Sequence, residues 1–359
     1  MSAPSSRARL FGLVAAVLGL VVSAGLAEVA LRVADYPPSN FSPWIRSDRY
    51  GFRLAPGIAT RMRGPEYDVE VRTNSLGLRD DEPGPKAGRR VLLLGDSFAM
   101  GYGVPRGQIF ADLLEKQLGI DVVDAGTGGY EIVQQPRMLA DLAPRLQPDL
   151  VVYALYLGND LAQNDEWEIT PDGVLRNRQR QYPVQQAREV KLVRLVQDFL
   201  YGVRQGRSEK EGEWLPFDGY LALCARDLGE DARRDYADAD RLLGDVQAEA
   251  KRLGIPLLVV EIPYRSMVEP EARASLARKV PGLEEHYDLG RPAREIGARM
   301  DARGIAHADA TPFLVQQHAT TGEGLFFPID GHLTPAGHAA LARFLAPLVA
   351  ERLAAKPHL

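Results

Sequence analysis

The sequence contains a single cysteine, Cys224, among its 359 residues. One cysteine cannot form an intramolecular disulfide or a cysteine-rich metal site, so both are excluded. We expect Cys224 to be a buried thiol. Net positive charge is lacking as well, because 43 lysines and arginines stand against 48 aspartates and glutamates, for a formal net charge of −5. A general polyanion-binding surface is therefore not expected, and nucleic acid is not an expected partner.

Long hydrophobic runs are missing except near the amino terminus. There, Arg7 and Arg9 precede an uncharged run from Leu10 to Ala27. As a helix this run would span about 27 Å, just enough for a bilayer core, and the two arginines favour a cytoplasmic start. We interpret residues 1–33 as an uncleaved membrane anchor, because the apolar character continues beyond Ala27. A secretory signal that is cleaved is the alternative.

The rest of the chain divides by composition. Residues 34–88 begin as a linker rich in proline and serine and continue as a small β-rich lead-in, where "YDVEVRTN" alternates apolar and polar side chains like a half-buried strand. Residues 89–359 form the main domain, with a polar insertion at about 161–234. In the main domain short apolar runs alternate with helical patterns, which is typical of βαβ units in a parallel sheet covered by helices on both faces.

Five apolar runs predict the strands of this sheet, namely "RRVLLLG", "IDVVDAG", "PDLVVYALYLGND", "PLLVVEIP" and "GIAHADAT". Helices are predicted between them, including one around Asp240 to Leu253 and one near 284–302. A last helix is predicted from Pro335, with Thr334 as its N-cap. In doubly wound sheets, sites lie at the carboxyl ends of the strands.

Two patterns stand out inside the insertion. "EWEITPDGVLRN" predicts a hairpin that turns at Pro171-Asp172-Gly173. Apolar residues at helical spacing then predict an amphipathic helix over residues 192–203. Its flanking basic residues suit membrane-surface binding, but we favour a helix packed over the rim of the active site, with a solvated outer face.

Ser97 follows the first strand of the sheet in the segment "VLLLGDSFAMGYG". A serine needs a base within hydrogen-bond reach to become a nucleophile, and otherwise this position is that of a helix cap. His332, in the loop before the last helix, is the candidate base. Asp330, two residues earlier, points to the same side of an extended backbone and could orient the imidazole. His338 lies inside the helix and is expected to be structural.

Acyl transfer also needs hydrogen-bond donors where the oxyanion develops. "DAGTGGYE" supplies the backbone N–H of Gly129 in a glycine-rich turn after the second strand. "YLGNDL" supplies the side-chain amide of Asn159 after the third strand. The glycine-rich turn lacks a dinucleotide-binding fingerprint and a phosphate-loop lysine, so no nucleotide cofactor is indicated.

Together these four motifs resemble the blocks of the SGNH or GDSL hydrolase family, and the resemblance covers roughly Arg89 to Arg352. It implies a flavodoxin-like α/β/α fold of three layers with a parallel five-stranded sheet in the order 2-1-3-4-5, and no metal or organic cofactor. It further implies roles for five residues: Ser97 as nucleophile and oxyanion donor, Gly129 and Asn159 as further oxyanion donors, His332 as base and Asp330 as the orienting acid.

The sequence departs from the family pattern at three positions, the mildest of which is Phe98 in "GDSF", where the family has leucine. The family's acid usually lies three residues before the histidine, where this chain has Ile329; the acid here is Asp330. Asp309 at the end of the last strand is a second candidate for the orienting acid. The asparagine common in block two is Asp124 here, which could tighten a hydrogen-bond network near Ser97 or alter its charge.

These observations predict a membrane-anchored serine esterase whose catalytic domain is extracytoplasmic, for example periplasmic. Its expected substrate is an O-acyl or O-acetyl group on a glycan or lipid of the cell envelope, an expectation that rests on compartment and resemblance. Two alternatives stay open, an O-acyltransferase that hands the acyl group to a polysaccharide, and a glycan-binding or scaffold protein without activity. No motif in the sequence indicates a protein partner.

Overall fold

The computed structural model describes residues 6–33, 43–162, 167–177, 192, 195 and 218–355. The chain begins with helix α1, Ser6–Val33. The segment Val14–Val33 has a mean hydropathy of 2.2, and none of it is buried against the rest of the chain. A helix this long and this apolar can cross a membrane, and its exposed apolar surface has no other cover among the described residues.

Four short strands form the lead-in: β1, Trp44–Ser47; β2, Gly51–Leu54; β3, Ala59–Arg63; and β4, Asp68–Arg72. They pair antiparallel as two hairpins, β1 with β2 and β3 with β4. β4 alternates buried and exposed residues, as the sequence predicted, with Val69 and Val71 on the inner face. The linker predicted before β1 lies almost entirely outside the described residues.

The main sheet follows the predicted alternation. Its strands are β5, Arg90–Gly95; β6, Asp121–Asp124; β7, Leu150–Tyr156; β10, Leu257–Ile262; and β11, Ala306–Asp309. All pairings are parallel, and across the sheet the strands lie in the order β11-β10-β7-β5-β6. Counted along the chain, this is the predicted order 2-1-3-4-5, which is confirmed. A separate hairpin joins β8, Trp167–Ile169, to β9, Leu175–Asn177, through the predicted turn.

Helices cover both faces of the sheet, so the chain has the predicted three layers. They are α2, Ser97–Met100; α3, Phe110–Leu118; α4, Gln135–Leu146; α5, Asp218–Cys224; α6, Glu230–Leu253; α7, Arg265–Val268; α8, Pro270–Lys279; α9, Leu283–His286; α10, Arg291–Arg303; α11, Thr311–Thr321; and α12, Pro335–Ala354. Val91 and Leu93 of β5 pack with α3 and α12 on one face, whereas Leu92 and Leu94 pack with α4, α6 and α10 on the other. Every residue of β5 is buried, as expected of a central parallel strand.

Two helices differ from their predicted bounds. α6 begins at Glu230 and not near Asp240. Its first turns were not predicted because they are charged and bury only Ala232, Tyr236 and Ala239, which gives a weak apolar periodicity. The stretch near 284–302 is two helices, α9 and α10, separated by a turn before Pro292. The amphipathic helix predicted over 192–203 lies outside the described residues except for 192 and 195.

Candidate active site

Ser97 lies just after the end of β5 and is the first residue of the short helix α2. The cap of that helix is Asp96, whose Oδ1 accepts a hydrogen bond from the Phe98 backbone N–H at 2.8 Å. Ser97 is therefore not the capping residue, and its hydroxyl is available for other partners. Its side chain is half-buried.

His332 reaches Ser97 from the loop before α12. Its Nε2 lies 2.7 Å from Ser97 Oγ, and its Nδ1 lies 2.5 Å from Asp330 Oδ1. Because the carboxylate can only accept, Nδ1 carries the proton and Nε2 is left to accept from the serine hydroxyl. The imidazole ring lies between the rings of Phe98 and Tyr102, at centroid distances of 4.9 and 4.7 Å. The structure thus brings serine, histidine and acid into one contact chain.

The loop that carries Asp330 and His332 closes on itself. The Phe327 N–H donates to the His332 carbonyl at 2.7 Å, and the Gly331 N–H donates to the Phe327 carbonyl at 2.9 Å. Gly331 has a φ of +85°, a conformation that suits glycine. The prediction that an extended backbone would align Asp330 with His332 was therefore wrong in its reason, because a turn at Gly331 brings them together. Thr334 caps α12 as predicted, accepting from the Gly337 N–H at 3.1 Å.

Asp330 is held as a carboxylate. Burial acts to raise its pKa, but hydrogen bonds from His332 and from the Tyr67 hydroxyl, together with the charge of His332, keep the pKa of Asp330 below its usual value. Asp309, the second candidate acid, accepts from the Thr311 N–H at 2.8 Å at the start of α11 and is used there. The position two residues before the histidine therefore supplies the acid that contacts it.

The glycine-rich turn after β6 lies against the nucleophile. The Thr127 N–H donates to the Gly95 carbonyl at 3.1 Å, and a Cβ on Gly128 would lie 3.5 Å from Ser97 Cβ. A Cβ on Gly126 would come within 2.3 Å of the Met100 backbone nitrogen, so this close approach requires glycine. Gly129 itself is exposed beside Phe52, with a φ of +78°. In the chain it directly follows Gly128, the glycine whose Cβ position faces Ser97.

Asn159 lies in the turn after β7, the strand that pairs with β5. It is half-buried, and its Oδ1 is buried without a hydrogen-bond partner among the described residues. The next residue, Asp160, accepts from the Tyr156 N–H at 3.0 Å and so fixes the turn to the strand end. Burial and the nearby Asp96 raise the pKa of Asp160 well above its usual value. Burial likewise raises the pKa of Asp96, to about 6.

Asp124 supports the glycine-rich turn and not Ser97 directly. Its Oδ1 accepts from the Gly126 N–H at 2.8 Å, and its own N–H donates to Asp80 Oδ2 at 2.8 Å. Burial, followed by the charge of Asp80, raises the pKa of Asp124 well above its usual value. Asp124 therefore acts on the turn geometry, which agrees with the hydrogen-bond alternative stated for it.

Two further histidines do not reach the site. His338 is buried inside α12, where its Nδ1 accepts from the Phe110 N–H at 3.2 Å and its ring stacks on Phe110. Burial lowers the pKa of His338 to about 3, so it stays neutral, as expected of a structural residue. His318 lies near Glu269 and Glu271, a grouping with possible metal-ligand spacing. Both carboxylate oxygens of Glu269 already accept hydrogen bonds, one from the Leu325 and Phe326 N–H groups and the other from Arg265.

The lead-in contributes contacts that the sequence did not predict. The buried Arg79 donates to the carbonyls of Met100, Gly101 and Val104, which form the turn after the nucleophile. Tyr67 donates to Asp330, as described above, across 263 positions of sequence. No local pattern identifies such partners, because the alternation in β4 shows that one face is buried but not what covers it.

Comparisons with known proteins agree with the motifs. Residues 213–358 match a family model described as "SGNH hydrolase-like domain, acetyltransferase AlgX". The matched part includes Asp330 and His332, whereas Ser97, Gly129 and Asn159 precede it. No curated protein matches the chain at a significant level.

Solved structures also align with the chain at low identity. One titled as the crystal structure of TesA is 17% identical and covers 74% of this chain and 99% of its own, with a TM-score of 0.41. The acetyl xylan esterase AlAXEase is 13% identical and covers 72% and 99%, with a TM-score of 0.42. A catalytic mutant of the acetylxylan esterase Axe2 from Geobacillus stearothermophilus is 14% identical and covers 76% and 97%, with a TM-score of 0.41. The family match agrees with the SGNH/GDSL resemblance predicted from the motifs, and residues 213–358 are similar to an SGNH hydrolase-like domain.

Proposed function

We propose that this protein is a serine esterase that forms an acyl-enzyme on Ser97. The observation that carries the proposal is the continuous contact from Ser97 Oγ through both nitrogens of His332 to Asp330. The order of groups is that of a nucleophile, its base and an orienting acid.

The reaction follows from the protonation states at the site. His332 Nε2 takes the hydroxyl proton as Ser97 Oγ attacks the ester carbonyl carbon, and Asp330 stabilises the imidazolium without taking its proton. The oxyanion accepts hydrogen bonds from the Ser97 and Gly129 N–H groups and from the Asn159 amide, as the family resemblance implies. His332 then returns the proton to the leaving alcohol. Water, deprotonated by His332, then attacks the acyl carbon, and His332 returns the proton to Ser97 Oγ as the free acid leaves.

The length and apolar character of α1 support a proposed compartment. As an anchor with Arg7 and Arg9 on the cytoplasmic side, it leaves the catalytic domain outside the membrane, for example in a periplasm. A cleaved signal would release the same domain on the same side. We therefore propose an O-acyl group such as O-acetyl, carried by an envelope glycan or lipid, as the substrate.

An O-acyltransferase is the second candidate function, and the description of the matching family as an acetyltransferase favours it. The chemistry differs only in the last step, in which a sugar hydroxyl in place of water attacks the acyl group on Ser97. The esterase and transferase functions are distinguished by supplying an acyl donor with and without an oligosaccharide acceptor. The products are then analysed by mass spectrometry. Free acid in both conditions supports the esterase, whereas an acylated acceptor supports the transferase.

The proposal is tested with the full chain in detergent and p-nitrophenyl acetate as substrate. We expect release of p-nitrophenolate by the wild type and background release by Ser97→Ala. Ser75→Ala is the matched control, since Ser75 is exposed and its hydroxyl binds Glu82, away from the triad. Equal rates for wild type and Ser97→Ala would contradict the esterase and favour the scaffold alternative.

A further inference from the structure

The turn of the β3–β4 hairpin lies against the loop that carries the orienting acid. The Tyr67 hydroxyl is 2.7 Å from Asp330 Oδ2, the oxygen that His332 does not use. The Tyr67 ring packs beside Phe327 at a centroid distance of 5.4 Å. A Cβ on Gly64 or on Gly103 would come within 2.6 or 2.7 Å of this ring, so the chain leaves room for tyrosine on both sides.

A second residue of the same turn holds the backbone of the loop. Glu66 Oε2 accepts hydrogen bonds from the Ile329 N–H at 3.0 Å and the Asp330 N–H at 2.8 Å. One turn of the lead-in thus contacts both the main chain and the side chain of the acid. A carboxylate held at its backbone and at both oxygens has little freedom to rotate.

The direction of the tyrosine hydrogen bond is fixed by electrostatics. Burial, followed by the neighbouring Tyr102 and Asp330, raises the pKa of Tyr67 far above its ordinary value. The hydroxyl therefore stays protonated and donates, and Asp330 Oδ2 accepts. Asp330 Oδ1 is left for His332 Nδ1.

We propose that Tyr67 is a positioning residue for the reaction at Ser97, acting through Asp330 and supported by Glu66. This inference rests on the proposed function. The hydrogen bond from Tyr67 fixes the rotamer in which Oδ1 faces His332, and it partly offsets the charge of the carboxylate. Without the bond, Asp330 rotates more freely, and its charge stabilises the protonated imidazole more strongly.

Several other titratable or charged groups lie around the Asp330–His332 pair or the loop that carries it. These groups are Glu66, Asp96, Tyr102, Tyr156, Arg265 and His338. Tyr67→Phe leaves all of them in place. It removes one hydroxyl and keeps the ring that packs beside Phe327. A change in the pH dependence of this variant is thus assigned to the lost hydrogen bond.

The test compares Tyr67→Phe with Tyr236→Phe in the full chain in detergent. Tyr236 is the matched control, because its buried hydroxyl donates to the Leu223 carbonyl in the helical layer. We expect kcat/KM for p-nitrophenyl acetate to fall about 10-fold to 100-fold in Tyr67→Phe, the size that a hydrogen bond to a charged group corresponds to. We also expect the acidic limb of its pH profile to move to higher pH, because the Tyr67 hydroxyl no longer partly offsets the charge of Asp330. Tyr236→Phe keeps the wild-type profile.

The rate at which a fluorophosphonate reagent labels Ser97, followed against pH, gives the same limb without turnover. If Tyr67→Phe keeps the wild-type limb in both assays, the inference is wrong, whatever its melting temperature. Glu66→Gln, which keeps an acceptor oxygen, should label faster than Glu66→Ala; equal rates would also count against it. A wild type that is not labelled at Ser97 would overturn the proposed function and this inference together, whereas labelling with an unmoved limb overturns only the inference.

Discussion

The protein contains two acid–histidine pairs that look alike and differ in what surrounds them. In the first, His332 Nδ1 is 2.5 Å from Asp330, and in the second, His307 Nδ1 is 2.6 Å from Glu261. The two imidazoles are equally buried, with side-chain exposures of 20% and 18%. Burial and the acid–imidazole contact therefore do not distinguish a candidate active site from a packing contact.

The difference lies at the other ring nitrogen. His332 Nε2 faces Ser97 Oγ at 2.7 Å, whereas His307 Nε2 faces Asp301 Oδ1 at 3.2 Å. A base opposite a hydroxyl can activate a nucleophile, and a base between two acids cannot. The position in the sheet decides this, because His332 lies beside the end of β5, while His307 is within the edge strand β11 and packs near Gly297 of α10.

The acids differ as well. Burial and the neighbouring Asp309 and Asp301 raise the pKa of Glu261 to about 7, against the hydrogen bond and charge of His307. Asp330 is also buried, but the donors around it keep its pKa below the usual value. Under the proposed mechanism the acid must stay ionised while the histidine cycles, and the donors around Asp330 favour that state.

The largest expected effect separates the two histidines. His332→Ala should lower kcat/KM for p-nitrophenyl acetate by roughly 10⁴-fold or more, as when the base of a serine nucleophile is removed. His307→Ala should stay within about twofold of wild type, because both ring nitrogens of His307 face acids and neither faces a reacting group. Steady-state rates measure this. A comparable loss of activity in His307→Ala would show that the two histidines do not differ in function.

The acids should separate next. Asp330→Asn should lower kcat by about 10³- to 10⁴-fold, since an amide no longer selects the tautomer in which Nε2 is free to accept. Glu261→Gln is the matched isosteric control and should keep its activity. Parallel rate measurements on the two variants test this prediction. If Asp330→Asn keeps its activity, another acid, such as Asp309, orients His332.

A pH effect on stability should come from the second pair. Because the folded-state pKa of Glu261 is raised from 4.5 to about 7, its contribution is present at low pH and is lost as the pH rises through that window. The free energy of unfolding should therefore fall with pH more steeply in the wild type than in Glu261→Gln between about pH 4.5 and pH 7. Denaturant melts at several pH values measure the two slopes, and equal slopes would show that Glu261 does not titrate there.

The smallest effect concerns the threonines beside the two pairs. Thr334→Ala removes the N-cap of α12, and Thr311→Ala removes a hydrogen bond to Asp309 at the start of α11. Each should cost about 1 kcal/mol of unfolding free energy. Only Thr334→Ala should also lower the esterase rate, because Thr334 ends the loop of His332. Thermal melts and rate measurements on the same samples compare the two variants. A loss of rate in Thr311→Ala but not in Thr334→Ala would contradict this prediction.

The sheet and the contact chain were predictable because their signals are local. Apolar runs such as "VLLL" mark buried parallel strands, and the short motifs place Ser97 at a strand end and His332 in the loop before the last helix. The order 2-1-3-4-5 came from the family resemblance carried by those motifs, and the parallel pairings agree with it. The contact between Asp330 and His332 was predicted, although for the wrong backbone geometry.

The rest depends on contacts between distant parts of the chain. Tyr67 and Asp330 are 263 positions apart, and nothing around "YDVEVRTN" indicates that its turn will cover the loop of the base. Arg79 looks like an ordinary charged residue of a polar segment, yet it is buried and donates to three carbonyls after Ser97. Helices α7 and α8 were missed because α7 has only four residues and α8 buries a single large apolar side chain, Leu276.

The most direct test of the account is the site of covalent labelling. The full chain in detergent is treated with a fluorophosphonate reagent, and the modified residue is identified by peptide mass spectrometry. The account predicts one adduct, on Ser97, absent from Ser97→Ala and formed orders of magnitude more slowly in His332→Ala. Labelling of Ser97→Ala equal to wild type, or no labelling of the wild type at all, would contradict it.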